Sequence, residues 1–300
     1  MIMKNQVGLQ TAYWNGTEPA LDIHQIIALT KKANMDIIEL KAGDFVPLTK
    51  AEREVLRKEI ENAGLKITVN GTGLRLQRDV SSSDREIHEA GIKHLNHMLD
   101  LCKEMGATYF SGIPYGLWNT RPEGNDIEEI KKIRTANAIN GLKEVAKHAE
   151  ENGIILCLEI VNRFEQYIVN TVDEGIAMCE QIQNKNCKLL LDTFHMNIEE
   201  DCIADSIKKA YEKGYLGYIH VGESNRKIPT GKKKTNIDWE SIAKVFNETG
   251  FECPFVMEPF VLNKSASAPS VSLWRKIKDA EDIDGLVKDA AEGVRYLKSL

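Results

Sequence analysis

Ile154-Ile155-Leu156-Cys157-Leu158-Glu159, then a helical pattern over Val172 to Gln183, then Lys188-Leu189-Leu190-Leu191-Asp192: this stretch decides the fold. Two apolar runs, each too short for a helix and each ended by a carboxylate, flank a segment whose apolar residues recur at helical spacing. Such a βαβ unit builds a parallel sheet. The same rhythm runs outward in both directions. Strand patterns are read at Val7 to Trp14, Asp36 to Leu40, Lys66 to Asn70, Thr108 to Ile113, Ile154 to Glu159, Lys188 to Asp192, Gly217 to Val221 and Pro254 to Glu258. Helical patterns fall between them at Leu21 to Ala33, Ala51 to Ala63, Asp84 to Met105, Ile127 to Glu151, Val172 to Gln183, Ile203 to Lys213 and Ile237 to Glu248, with a last one near Ile283 to Leu300. Thr49 and Thr171 are placed to cap helix N-termini, while Gly64, Gly106, Gly153 and Gly250 stand just past C-termini where left-handed geometry is needed. Eight such units, with no Pro- or Ser-rich linker between them, predict an α/β fold with a single domain over residues 1–300. That fold is a (β/α)8 TIM barrel rather than two doubly wound halves. The two longer connections, Gly222 to Asp238 and Pro259 to Asp282, both follow strands and so belong to the face where such barrels build their sites.

Composition narrows the function. With 42% hydrophobic and 28% charged residues over 300 positions, the chain can bury a large core and lacks the bias of a disordered protein. Lys plus Arg total 39 against 45 for Asp plus Glu, a net charge of −6, which argues against nucleic acid or an anionic membrane as partner and for a small molecule. No run approaches the roughly 18 apolar residues of a membrane span. Met1 to Gln10 has neither an apolar core nor a small-residue cleavage site, so the expected location is cytoplasmic. The six cysteines, Cys102, Cys157, Cys179, Cys187, Cys202 and Cys253, show no C-x-x-C pair, and reduced, mostly buried thiols are expected.

Four strand ends in the second half carry the chemistry: Glu159, Asp192, His220 and Glu258, each the first strongly polar residue after its apolar run. They are separated by 33, 28 and 38 residues, about one βα unit each, so four adjacent strands present them side by side at the C-terminal mouth. Three carboxylates and an imidazole form an oxygen-rich set suited to Mn²⁺, with Mg²⁺ or Co²⁺ as alternatives, whereas zinc more often takes extra histidine or thiolate. A divalent ion there can hold a carbonyl and a neighbouring hydroxyl while the intervening carbon loses its proton. Glu159 and Glu258 can then act on one carbon from opposite faces, which inverts a stereocentre. A carboxylate at a strand end can also merely cap the next loop, but four in phase on successive units point to a site. His195 and Glu165 lie just past Asp192 and Glu159, positioned to face a ligand. Trp14, Trp118 and Phe260 are candidates for packing on a sugar's apolar face, with a plain core or loop role for the tryptophans equally open. The basic run from Arg226-Lys227 to Lys232-Lys233-Lys234 keeps a phosphorylated sugar as an alternative, although charge runs on long loops are usually solvated. His24, His88, His94, His97 and His148 fall in helical patterns and are read as surface or packing residues.

The segments Leu158-Glu159-Ile-Val-Asn-Arg-Phe-Glu165, Leu191-Asp192-Thr-Phe-His195-Met-Asn-Ile-Glu-Glu-Asp201, His220-Val-Gly-Glu-Ser-Asn-Arg226-Lys and Val256-Met-Glu258-Pro-Phe260 resemble the ketose 3-epimerases. These are the D-tagatose and D-psicose (D-allulose) 3-epimerases of the xylose-isomerase-like barrels. The resemblance covers nearly the whole chain, with Ala12-Tyr13-Trp14 and Leu273-Trp274-Arg275 as weaker anchors. It implies that Glu159, Asp192, His220 and Glu258 bind Mn²⁺, that Glu159 and Glu258 exchange the C3 proton through a cis-enediolate, and that Glu165, His195 and Arg226 hydrogen-bond the ketose around O1 to O3. It also implies a homodimer or homotetramer. The sequence departs from the family in its first half. Gln10 stands where members tend to have tyrosine, the turn Asn70-Gly71-Thr72-Gly73 is not matched to a family motif, and the loop carrying Thr230 to Thr235 is longer and more basic. The expected activity is C3 epimerisation of free ketoses such as D-psicose/D-fructose or D-tagatose/D-sorbose. A phosphorylated-ketose epimerase, an aldose-ketose isomerase and a non-catalytic sugar-binding barrel are the alternatives.

Overall fold

A computed structural model describes residues 4–71, 74–233, 235–277 and 282–300. In chain order the elements are β1 (Val7–Gln10), a 3-10 turn (Thr11–Trp14), α1 (Ile23–Lys32), β2 (Ile37–Lys41), α2 (Ala42–Phe45), α3 (Lys50–Asn62), β3 (Lys66–Asn70), α4 (Arg85–Glu104), β4 (Tyr109–Gly112) and α5 (Ile127–Glu151). There follow β5 (Ile155–Ile160), α6 (Val172–Ile182), β6 (Cys187–Asp192), α7 (Thr193–Glu199), α8 (Ile203–Glu212), β7 (Leu216–Val221), α9 (Trp239–Thr249), β8 (Phe255–Met257) and α10 (Ile283–Ser299). The strands pair in the order β1 to β8 and close back on β1, the parallel barrel that the eight-unit rhythm predicts.

By contacts the chain falls into two compact units, Met1–Thr68 with Ile219–Leu300, and Val69–Tyr218. In the first, β1 lies parallel to β2 and β8, and β8 also pairs with β7. In the second, β5 pairs with β4 and β6. Strands β1, β6, β7 and β8 are buried almost end to end, as expected where a parallel sheet is covered on both faces. Packing between strands is close enough to dictate residue size: a Cβ on Gly217 would lie 2.5 Å from Cys157 Sγ and 2.9 Å from the Leu189 carbonyl oxygen.

The predicted punctuation is present. Thr49 and Thr171 close reciprocal capping boxes with Glu52 and Glu174, and Asp22 does the same with Gln25. Gly250 ends α9 at φ 65°, a conformation that costs a residue with a Cβ.

The first strand is shorter than its aromatic-rich pattern suggests. That pattern predicts one strand over Val7 to Trp14, but the ladder ends at Gln10 and Thr11–Trp14 coil into the 3-10 turn. All four of those side chains are buried, including Trp14 at 1% exposure, which makes Trp14 a core residue rather than a sugar platform. The short helices α2 and α7 are not predicted by the spacing either. α7 starts because the Asp192 carboxylate accepts from the Phe194 N–H, so a residue expected to serve the site also caps a helix. All six cysteines are free thiols, five of them buried. Among the described residues, no helix is long and apolar enough to cross a membrane. Thr72 and Gly73 of the unmatched turn, and Lys234 of the basic run, lie outside the described residues.

Candidate metal centre and sugar site

Alternation along a strand sets which side chains share a face, and register sets their level. In the first unit Gln10 stands opposite Glu39, and Gly8 opposite Val256, so Gln10 and Glu258, each two residues further on, share one level. His220 stands opposite Val256 and therefore lies on the same face as Glu258, one pleat behind it. In the second unit Glu159 stands opposite Leu190, which puts Asp192 on the same face, one pleat ahead.

Hydrogen bonds then fix orientations. Gln10 Nε2 donates to both Glu39 Oε2 (2.9 Å) and Glu258 Oε1 (2.6 Å). Thr68 Oγ1 donates to Glu39 Oε1 at 3.2 Å. His220 Nε2 is 2.9 Å from Glu39 Oε2, while its Nδ1 lies 3.5 Å from Glu258 Oε2. Burial opposes ionisation of these groups, but charge pairing prevails. The carboxylates of Glu39 and Glu258 hold the His220 imidazole well above its ordinary value, and His220 with Arg226 holds Glu258 well below the usual carboxylate range. Glu39 is lowered by His220 and by the Gln10 hydrogen bond. Gln10 Oε1 is buried with no hydrogen-bond partner among the described residues.

In the second unit Asn70 Nδ2 donates to Glu159 Oε2 at 3.3 Å, and Trp118 Nε1 donates to Glu165 Oε2 at 2.7 Å. His195 is 2% exposed. Its Nε2 is 3.7 Å from Asp192 Oδ2 and 3.9 Å from Glu159 Oε1, and its Nδ1 is 3.9 Å from Glu165 Oε1. Expected neighbours are thus brought together: Glu159, Asp192, His195, Glu165 and Trp118 share one cluster, His220, Glu258 and Arg226 another. The ligand atoms of Glu159, Asp192, His220 and Glu258 all lie within 4.8 Å of one another, and all four residues are buried. Three carboxylates and one imidazole converging in so small a volume form a donor set that fits a divalent cation.

Arg226 adopts φ 63°, donates from Nη1 to Glu258 Oε2 at 3.1 Å, and stacks 5.3 Å from the Phe260 ring centroid. Phe260 is thus a platform for a guanidinium. Lys232 pairs with Glu292, so two members of the basic run already have carboxylate partners. The helical histidines make local contacts, His24 with Glu59, His88 with the Val80 carbonyl and His148 with Asp100.

Sequence reasoning gave no role to Glu39, Thr68 and Asn162, and noted Gln10 and Asn70 only as departures from the family. Glu39 carried a readable signal, an acid inside the apolar run Ile37-Ile38-Glu39-Leu40, because a carboxylate on a fully buried strand needs a partner.

The xylose isomerase-like TIM barrel profile matches residues 27–299. Among curated proteins, the D-psicose 3-epimerase of Ruminiclostridium cellulolyticum is 32% identical over 289 residues, covering 96% of this chain and 95% of that one. The L-ribulose 3-epimerase of Mesorhizobium japonicum is 30% identical, with 91% and 88% covered. Among solved structures, D-psicose 3-epimerase with D-tagatose from Clostridium cellulolyticum superposes with a TM-score of 0.89 at 30% identity, over 97% of this chain and 98% of that one. The chain belongs to the xylose isomerase-like TIM barrels and, within them, to the ketose 3-epimerase family, isomerases that act on carbohydrates.

Proposed function

We propose that this protein is a metal-dependent epimerase that inverts C3 of free ketoses, with D-psicose/D-fructose and D-tagatose/D-sorbose as the first candidates. The observation that carries the reading is the buried convergence of Glu159, Asp192, His220 and Glu258 in a chain of this family. These four residues would hold the ion, and the oxygen-rich set favours Mn²⁺, with Mg²⁺ or Co²⁺ as alternatives. When bound, the ion supplies Lewis-acid stabilisation of negative charge on the sugar oxygens at C2 and C3.

One of Glu159 and Glu258 takes the C3 proton. The electron pair of the C–H bond forms the C2–C3 double bond of a cis-enediolate, and the carbonyl π pair moves to O2. The other glutamate, protonated at the outset, gives its proton to the opposite face and the π pair comes back as the carbonyl re-forms, so the two carboxyl groups end the turnover with their protonation exchanged and re-equilibrate with solvent. No oxidant or reductant is needed. Arg226 and His220 keep Glu258 ionised, as a base requires. Glu165, His195 and Arg226 serve O1 to O3, and Trp118 holds Glu165 in place. The pairing of Arg226 with Glu258 and of Lys232 with Glu292 favours a free over a phosphorylated sugar. One barrel domain over residues 1–300, self-association as a homodimer or homotetramer, and a cytoplasmic setting that matches the free thiols complete the proposal.

The test incubates metal-reconstituted protein with D-fructose, D-psicose, D-tagatose and L-ribulose in D2O, beside a chelated control, and follows deuterium and products by NMR. Metal-dependent deuteration at C3 with appearance of the C3 epimer is expected. An aldose product, or no C3 exchange with any of the four, would sink the proposal.

A further inference from the structure

His195 sits beside Glu159 and Asp192, and what it presents to them depends on which ring nitrogen carries the proton. The surroundings of Nδ1 decide that. The backbone N–H of Asn162 points at Nδ1 at 3.2 Å, and a backbone N–H can only donate. The side-chain amide of Asn162 reaches the same nitrogen at 2.7 Å. Its orientation is fixed from two sides: Oδ1 accepts from the Phe164 N–H at 2.9 Å, and Nδ2 faces the carboxylate oxygen Oε1 of Glu165 at 3.3 Å. The reversed amide would set an oxygen against a carboxylate and an NH2 against an N–H. Nδ1 therefore receives two donors from one residue and must offer its lone pair to both.

We propose that Asn162 is a positioning residue that fixes His195 as the tautomer with its proton on Nε2, so that a hydrogen-bond donor, not a lone pair, faces Glu159 and Asp192. Nε2 lies 3.9 and 3.7 Å from these carboxylates, so a proton there faces the space beside them. Two consequences follow, the first of which rests on the ketose reading above. An N–H there donates to a sugar oxygen. A lone pair there would be a fifth ligand atom beside the cluster of Glu159, Asp192, His220 and Glu258, and the tautomer removes it. Asn162 is well suited to this role. It is 2% exposed, and its carbonyl accepts from the N–H groups of Glu165 at 3.0 Å and Gln166 at 3.3 Å, so the turn after β5 holds it rigidly. The same turn carries Glu165, so one asparagine organises two side chains assigned to the sugar.

The experiment reads the tautomer directly, in full-length protein labelled with 15N-histidine, stripped of metal by chelation and free of sugar, at mildly alkaline pH. The His195 ring is assigned by comparison with His195→Gln. In the parent protein, long-range 1H–15N correlation spectra should show the proton on Nε2 and a bare Nδ1. In Asn162→Asp a carboxylate oxygen replaces the donating amide and can accept from Nδ1–H, while the backbone N–H of residue 162 still opposes a proton there, so the Nδ1-protonated population should rise measurably above the parent's. With metal and ketose restored, that variant should lose affinity for the sugar by about tenfold in KM, the scale of one hydrogen bond, beyond any fall in kcat. A parent spectrum with the proton on Nδ1 overturns the proposal even if the variant fails to fold. An Asn162→Asp protein that folds and shows the parent's tautomer population unchanged overturns it too, and leaves the Asn162 side chain merely structural. Because the tautomer is measured without metal or sugar, this result is independent of whether any ketose is epimerised.

Discussion

Replacing Glu39 with Gln tests how far the candidate metal centre depends on a residue that supplies none of its four ligands. Glu39 is fully buried and accepts three hydrogen bonds, from Gln10 and His220 at Oε2 and from Thr68 at Oε1. Gln has the same shape. Its carbonyl oxygen can take the place of Oε2 and its NH2 can donate to the Thr68 hydroxyl, so no contact is lost and only the charge goes. All three bonds lose their charged acceptor. With bonds to charged groups at about 1.5–3 kcal/mol and neutral ones at about 0.5–1.5, the loss is about 1 kcal/mol per bond, or about 3 kcal/mol in all. Glu39 also orients the imidazole through Nε2, leaving Nδ1 toward Glu258, and removing such a partner of a metal-binding histidine typically costs about 10–100-fold in affinity. Glu39→Leu should be worse, because it strands three buried donor groups, on Gln10, His220 and Thr68, at about 1–3 kcal/mol each. The assay is calorimetric titration of chelator-stripped protein with Mn²⁺, paired with a thermal melt of each variant. The reasoning fails if folded Glu39→Gln binds Mn²⁺ within about threefold of the parent, or if Glu39→Leu proves no worse than Glu39→Gln.

Glu159→Gln and Glu258→Gln should each abolish C3 deuteration, and substantial exchange in either would refute the two-base mechanism. Gly217→Ala should destabilise the fold by about 1–3 kcal/mol, because the new Cβ meets the Leu189 backbone carbonyl as well as Cys157, and neither strand can yield; an unchanged unfolding midpoint would contradict the packing. Burial, and then Arg78, lowers the His94 pKa to about 4. The unfolded chain takes up that proton near the ordinary 6.5 and the folded one resists until about 4, so stability should fall as pH drops through this window. Comparing thermal midpoints at neutral pH and near the bottom of that window, His94→Gln should show a shallower decline than the parent, and an equal decline would assign the acid sensitivity to other groups.

Much of this protein was legible in its sequence, and for a local reason. Helical spacing over Ile127–Glu151, the capping threonines and the glycines after helix ends depend on residues a few positions apart, so the chain states them directly. The convergence of Glu159, Asp192, His220 and Glu258, the candidate ligands, was equally open to reading, because the barrel repeats one unit and each acid or imidazole ends an apolar run. Thr11–Trp14 misled for the same local reason: aromatic content argues for a strand, yet whether the ladder continues depends on the partner strand. Tertiary structure decided which atom of each side chain faces which neighbour. Gln10 meets Glu258 across 248 residues and Glu39 meets His220 across 181, and such meetings follow from strand register, which no local pattern encodes. The proton on His195 is of the same kind. The sequence places a histidine three residues after Asp192, but only the folded turn after β5 brings two Asn162 donors to Nδ1 and so settles what the ring offers to the site.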